Sequence, residues 1–457
     1  MISGNFQATT LGHVFALALA AAASAACSDD AAPPISSMSS VGTSGGGQAS
    51  MSGSSAVSGS GGSVSSAGTA TQGRGGSQAA GTGGIGSSGG ASSQAGTGTS
   101  GTATDGGADP GPGGGVAPVI AAGVRWVGRA DVSDPSAVQF AWSGSGFVGT
   151  FTGASVSVKL RTEGSGDVYF QPVVDGAPGA RFAVSGAEQT YEIASNLSAG
   201  PHEVELYRES EGKGLGYSVF TGFAAGAPGT PPPFSGRLIE VIGDSISAGY
   251  GNLGMEQHQN GAADPNGGCR FETKTESAYQ AYSHVAARGL DADASVLAGS
   301  GWGVYSDNQG NIQNVMSALF SNAVGEKTAP AWSFAAQPQA VVINLGTNDA
   351  SAKNLTAEKF KPAYSAFLAT VRAKYPGAVI LCAVGSMIYG ADRDNALLYL
   401  GQIVADRVAQ GDKKVEVLDL GSQDANQGTG CDWHPNVAED ARMAAILAAK
   451  LKTSLGW

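Results

Sequence analysis

Ser245, Gly301, Asn348 and His434 are the residues from which a reaction can be assembled. Ser245 stands in RLIEVIGDSISAGYG (237–251), where a nearly apolar run ends in Gly-Asp-Ser. A serine hydroxyl is a weak nucleophile until a base takes its proton. His434, in CDWHPN (431–436), can be that base, because histidine is the side chain whose ordinary pKa lies nearest neutrality. Acyl transfer also needs hydrogen-bond donors aimed at the developing oxyanion. The backbone N–H of Ser245, that of Gly301 in GSGW (299–302) and the side-chain amide of Asn348 in GTND (346–349) would supply three. Asp244 reads as the residue that holds the turn at the serine.

These residues are far apart in sequence, so a sheet must gather them. Apolar runs at 237–242, 294–298, 340–345, 378–384 and 415–420 alternate with stretches of helical spacing such as 356–374 and 393–410. Strands that are nearly continuous in apolar residues, separated by helices, predict a parallel sheet covered on both faces. In such sheets ligands bind beyond the carboxyl ends of the strands. Ser245, Gly301 and Asn348 follow the first three runs, and His434 follows the fifth. Asn436 and Glu439 form the pattern of a capping box, so His434 should sit on the loop just before the last helix.

Two other readings of the first stretch fail on context. GYGNLG (249–254) has the glycine spacing of a dinucleotide loop, but it starts beyond the strand end and runs into loop sequence. The Gly-x-Ser-x-Gly elbow fails because Ser247 occupies the final glycine position.

Upstream, residues 116–233 hold short alternating stretches such as SVSVKLRT and HEVELYRE, the pattern of an antiparallel β-sandwich. Residues 28–115 are rich in Gly and Ser without apolar periodicity and read as a flexible linker. Residues 1–27 carry an apolar run of secretory length and read as an export signal, placing the protein outside the cell or on its surface. Cys27 follows Ala25-Ala26 as in a lipoprotein processing site, so a lipid on Cys27 is the one membrane contact expected; the other reading discards Cys27 with the signal. Cys382 lies in a buried-strand pattern, which leaves Cys269 and Cys431 to pair in an oxidising compartment. That bridge would tie the loop after Ser245 to the loop carrying His434. The net charge is −12, and the basic residues form no stripe, which argues against a nucleic-acid partner. No spacing suggests a metal site, and no cofactor is expected. His202, His258 and His284 read as surface or packing residues.

GDS, the glycine of GSG, GTND and HPN, in this order, resemble the four blocks of the SGNH (GDSL-like) hydrolases. GRADVSDPSAVQFAWSGSGFVGTFTG (128–153) further resembles carbohydrate esterase family 2, whose members carry a jelly-roll domain before an SGNH domain. The resemblance implies a jelly-roll-like β-sandwich over 116–233, then an α/β/α three-layer domain with a five-stranded parallel sheet over 234–457. It also implies deacetylation of plant polysaccharides such as acetylated xylan or glucomannan. Many SGNH enzymes place the triad aspartate three residues before the histidine, where this chain has Cys431. Asp432 is then the carboxylate expected to orient His434, and the alternative that the family offers is a backbone carbonyl. Trp302 and Trp433 flank the expected site, where they would pack on a sugar ring or on their own loops. Two rival functions share these residues: a lipase or thioesterase, and a carbohydrate-binding surface protein with a vestigial hydrolase domain.

Overall fold

The computed structural model describes residues 119–256 and 268–457; the expected leader with Cys27, the linker over 28–115 and His258 lie outside them. Four long antiparallel strands organise the first part: β1 (Gly146–Glu163), β2 (Val168–Val174), β3 (Pro201–Arg208) and β4 (Tyr217–Pro228). β1 is long enough to serve two neighbours in succession. Residues 146–152 pair with β3, and residues 151–163 pair with β4. Val124–Val127 and Gln189–Ala194 add to its free edges, so the strands wrap around a common core. Trp126, Phe140, Phe147, Phe151, Phe170 and Phe220 fill that core, with edge-on contacts such as Trp126 to Phe147 at 5.9 Å and 69°. In β3 the period of two is visible: Val204 and Leu206 are buried while Pro201 and Glu203 face solvent.

The second part is the expected parallel sheet. Its strands β5 (Leu238–Gly243), β6 (Asp293–Ala298), β7 (Ala340–Asn344), β8 (Val379–Val384) and β9 (Val415–Asp419) lie in the order β6-β5-β7-β8-β9. Register matters more than order here. Gly243 is level with both Ala298 and Asn344, so the residues that follow all three emerge on one edge. The strand order reverses around β5, which makes the space between β5 and β7 the switch point where such sheets bind ligands.

Alternate strand residues face different layers. Val341, Ile343, Ile380 and Cys382 pack against α4 (Phe360–Lys374) and α5 (Gly390–Ala409) on one side. Val342, Val296 and Leu381 pack against α2 (Tyr282–Arg288) and α6 (Val437–Leu455) on the other. α1 (Ser245–Ala248) and α3 (Thr347–Ser351) are single turns at the active edge. Cys382 is buried, and burial pushes its thiol up to about 12, the behaviour of a small hydrophobe. The cap of α6 departs from the expected reciprocal box. Asn436 accepts from the N–H of Glu439 at 3.0 Å, but the Glu439 carboxylate turns to Arg442 Nε at 2.8 Å, where it finds a charged donor.

Arg129, from the antiparallel part, is fully buried against the parallel part. It donates to the carbonyl of Phe320 at 2.6 Å and pairs with Glu240 of β5 at 3.0 Å, and its guanidinium packs over the rings of Phe320, Trp332 and Phe334. Trp142 enters the same apolar layer as α4 and α5. Arg129→Ala would strand the Glu240 carboxylate, so a loss of about 3–5 kcal/mol in urea unfolding is expected. A loss below about 1 kcal/mol would show that this pair does not join the two sheets.

Candidate active site

Asp244 follows β5 directly and caps α1, its Oδ1 accepting from the N–H of Ile246 at 3.1 Å. It is fully buried, which raises its carboxyl to about 7, and the contact to Ile246 is the one expected of a residue that holds the turn. Ser245 is the first residue of that turn. Its Oγ lies 2.9 Å from Nε2 of His434, the contact a nucleophile and its base require. Nδ1 of His434 faces two carbonyl oxygens, those of Asp432 at 3.1 Å and Cys431 at 3.3 Å. A carbonyl can only accept, so Nδ1 must carry the proton and Nε2 is left as the acceptor for the serine hydroxyl. Burial pushes the imidazole down to about 4, against weaker opposing effects of these two carbonyls and the Asp432 charge.

The Asp432 carboxylate does not orient His434, contrary to the first expectation. Its Oδ2 accepts instead from the Tyr250 hydroxyl and from the N–H of Phe271, each at 2.9 Å. The backbone explains the divergence. Asp432 and Trp433 both adopt the left-handed region, with φ of 49° and 62°, which turns the side chain of Asp432 away while presenting its carbonyl to the ring. Tyr250 then carries the contact to the histidine by packing: its ring centroid lies 4.1 Å from that of His434 and 4.2 Å from that of Phe271.

The turn is fastened from outside. Cys269 and Cys431 form the expected disulfide, the Cys431 N–H donates to the Gly251 carbonyl at 2.9 Å, and the Asp432 N–H donates to the Cys269 carbonyl at 3.0 Å. Two of the glycines that imitated a nucleotide loop, Gly251 and Gly254, make room for this bridge. A Cβ on Gly254 would fall 2.1 Å from the Cys431 sulfur and 2.6 Å from that of Cys269.

Across from His434, Asn348 lies in α3, its side chain donating to the Trp302 carbonyl at 3.0 Å and reaching Asp244 Oδ2 only at 3.5 Å. Gly301 takes φ of 79°, a conformation that glycine adopts without a steric cost, and its N–H and that of Ser245 donate to no protein acceptor among the described residues. Asp349, next to Asn348, ties this loop to α3 by accepting from the N–H groups of Val304, Tyr305 and Ser306 at 2.8–3.1 Å. Ser245, Asn348 and His434 open into one cleft of about 390 Å³, also lined by Asn308, Thr347 and Tyr389. Trp302 is partly buried and Trp433 is exposed beside His434. His284 is buried with its ring against Gly144, and His202 pairs with Asp175 at 2.7 Å; neither approaches the cleft lining.

Sequence had no motif for Phe271 or Asn308, and although Asp349 lies in GTND and Tyr250 in GYGNLG, the roles of these two arise from contacts with other segments that their motifs do not show. Tyr389 had a usable signal, because it follows β8 on the same edge as the other polar clusters.

Residues 126–233 match the family described as Carbohydrate esterase 2 N-terminal, and residues 241–441 match the GDSL-like Lipase/Acylhydrolase family. The second part of the chain is thus a hydrolase domain of the GDSL-like class. A family two carbohydrate esterase from Clostridium thermocellum, solved in complex with cellohexaose, is 35% identical; the match covers 73% of this chain and 99% of that one, with a TM-score of 0.68. The Cellulase/esterase CelE of Acetivibrio thermocellus is 36% identical over 339 residues, 73% of this chain, and the chain spans 40% of that protein's length. An Acetylxylan esterase / glucomannan deacetylase of Cellvibrio japonicus is 26% identical over 351 residues, 73% of this chain and 91% of its own length. The chain belongs to carbohydrate esterase family 2 and carries its esterase domain.

Asp432→Asn keeps an acceptor for Tyr250 and leaves both carbonyl contacts to His434 in place. The kcat for p-nitrophenyl acetate should therefore fall by no more than about tenfold, whereas loss of an orienting carboxylate costs roughly ten-thousandfold. A loss above about a thousandfold would mean that the carboxylate turns to the histidine during turnover.

Proposed function

We propose that this protein is an exported serine esterase that removes O-acetyl groups from plant cell-wall polysaccharides such as acetylated xylan or glucomannan. The 2.9 Å contact between Ser245 Oγ and His434 Nε2, in a cleft shared with Asn348, carries this reading. His434 takes the hydroxyl proton as Oγ attacks the acetyl carbonyl. The negative oxygen is met by the N–H groups of Ser245 and Gly301 and by the Asn348 amide. Collapse expels the sugar oxygen, which receives the proton from Nε2. Water, deprotonated by the same nitrogen, then attacks the acyl-serine; collapse expels Ser245 Oγ, which takes that proton back from Nε2, and acetic acid leaves as acetate.

The cleft lining supports a small acyl group on a hydrophilic carrier. Asn308, Thr347, Ser351, Lys353 and Asp392 line it beside Met387 and Ile388. A lipase or thioesterase would need an apolar channel for a long chain. Sugar as the carrier is supported by the names of the relatives, one solved with cellohexaose and one called an acetylxylan esterase and glucomannan deacetylase. The leader over 1–27 supports export, with Cys27 as the residue that a lipid would take, and the Cys269–Cys431 bridge suits an oxidising compartment.

Ser245→Ala should abolish acetate release from acetylated xylan and glucomannan with an unchanged circular dichroism spectrum; retained release would overturn the assignment. Octanoyl esters cleaved faster than acetyl esters would favour the lipase reading instead.

The base must be neutral to act. Since burial holds His434 at about 4, below the ordinary histidine value of about 6.5, kcat/KM should stay level as pH falls through 6.5 and decline only near 4. An acid limb centred at or above about 6.5 in a pH series of acetate release would contradict a desolvated imidazole.

A further inference from the structure

The segment Arg208-Glu-Ser-Glu-Gly-Lys213, which starts at the last residue of β3, reaches from the antiparallel part into the proposed ester-cleaving site. Arg208 makes it stiff. Its fully buried guanidinium donates to the carbonyls of Ser210 at 2.8 Å and of Glu211 and Gly216 at 3.1 Å, and to Ser218 Oγ at 2.7 Å. Glu209 fixes the segment to the loop before α2, accepting from the N–H of Tyr279 at 3.2 Å, and Glu276 accepts from the N–H of Glu211 at 3.2 Å.

What the segment holds at its far end is Ser300. Glu211 Oε2 accepts from the Ser300 N–H at 2.8 Å, and the Lys213 ammonium donates to the Ser300 carbonyl. That carbonyl and the N–H of Gly301 belong to one peptide unit. A trans peptide is planar with C=O and N–H pointing in opposite directions, so a donor on the oxygen fixes where the hydrogen points. It also polarises the unit, because hydrogen bonds in a chain strengthen one another. A cation on the Ser300 carbonyl therefore makes the Gly301 N–H a better aimed and stronger donor. Lys213 stays close to the peptide it serves: a Cβ on Gly301 would lie 3.7 Å from Nζ, and the ammonium sits 5.9 Å from the centre of the Trp302 ring.

We propose that Lys213 is a positioning residue for ester cleavage, contributed by the antiparallel part, which acts through the Ser300–Gly301 peptide on the oxyanion donor, with Glu211 as the second arm of the clamp. This rests on the assignment of the Gly301 N–H as an oxyanion donor. It extends the site beyond the hydrolase domain, because Lys213 and Glu211 lie within residues 126–233, the N-terminal family match.

The test uses the full chain and p-nitrophenyl acetate, a substrate with no sugar for Lys213 to touch. Lys213→Met removes the donor and keeps the apolar stem. It should lower kcat by about 10- to 100-fold, less than the loss of an oxyanion donor itself, with KM within about threefold. Lys213→Arg, which can still donate to the carbonyl, should recover at least about a third of the wild-type kcat, and both variants should melt within about 3 °C of wild type. Unchanged kcat in Lys213→Met overturns the proposal. So does a defect seen only in KM for acetylated xylan, which would make Lys213 a substrate contact, and so does a loss of kcat that tracks the melting temperature in both variants. If Ser245→Ala is inactive while Lys213→Met is unaffected, the clamp fails and the esterase assignment stands; an active Ser245→Ala defeats the assignment itself.

Discussion

His434 lies between Ser245 Oγ at 2.9 Å and two carbonyl oxygens of its own turn, and a carbonyl holds a ring only as firmly as the backbone carrying it is held. A carboxylate on a side chain could follow the imidazole and add charge stabilisation to it. A carbonyl can do neither. The turn must therefore be rigid, and it is held in a shape that chains avoid: two consecutive non-glycine residues in the left-handed region, each costing roughly 1–2 kcal/mol. The Cys269–Cys431 bridge, the backbone bonds of Cys431 and Asp432, and the Tyr250 ring packed on His434 offset that cost. Asp432 keeps its importance in another form, fastening Tyr250 and Phe271.

The opposite side of the site follows the same logic with different parts. Asn348 is set by the Trp302 carbonyl, and the loop after β6 is strung on the Asp349 carboxylate through three backbone N–H groups. Ser300 is gripped at both its N–H and its carbonyl by Glu211 and Lys213. None of these contacts is long-range in space, yet their partners come from distant stretches of chain. The common level of Gly243, Ala298 and Asn344 in the sheet makes that possible. The antiparallel part is joined by a buried ion pair at Arg129 and by Trp142 within the larger apolar layer. It is therefore packed as a component of the site's frame.

Much of this is legible in the sequence. The five apolar runs match their strands to within one residue at each end, because a strand buried on both faces leaves an uninterrupted apolar record. Ser245, Gly301, Asn348 and His434 were legible because each follows such a run, or lies just ahead of a capped helix. For the group that orients His434 the sequence offers the Asp432 carboxylate first and a backbone carbonyl as the alternative; the structure bears out the alternative, and the reason is physical. Sequence names side chains, and the group that faces Nδ1 is a carbonyl, which every residue has. The glycines at 249, 251 and 254 likewise have a spacing whose purpose only contacts reveal: two sulfurs lie against Gly254, the Cys431 Cβ against Gly251 and the Ser277 carbonyl against Gly249.

What the sequence by itself determined was the set of candidate polar residues and the sheet edge on which they would meet, since strand periodicity and residue type are local properties. Only the tertiary structure decided which atom holds the imidazole, that Asp432 serves Tyr250, and that Lys213 reaches the peptide before Gly301. Those outcomes depend on backbone direction and on distances between loops separated by many residues, which a linear pattern does not encode.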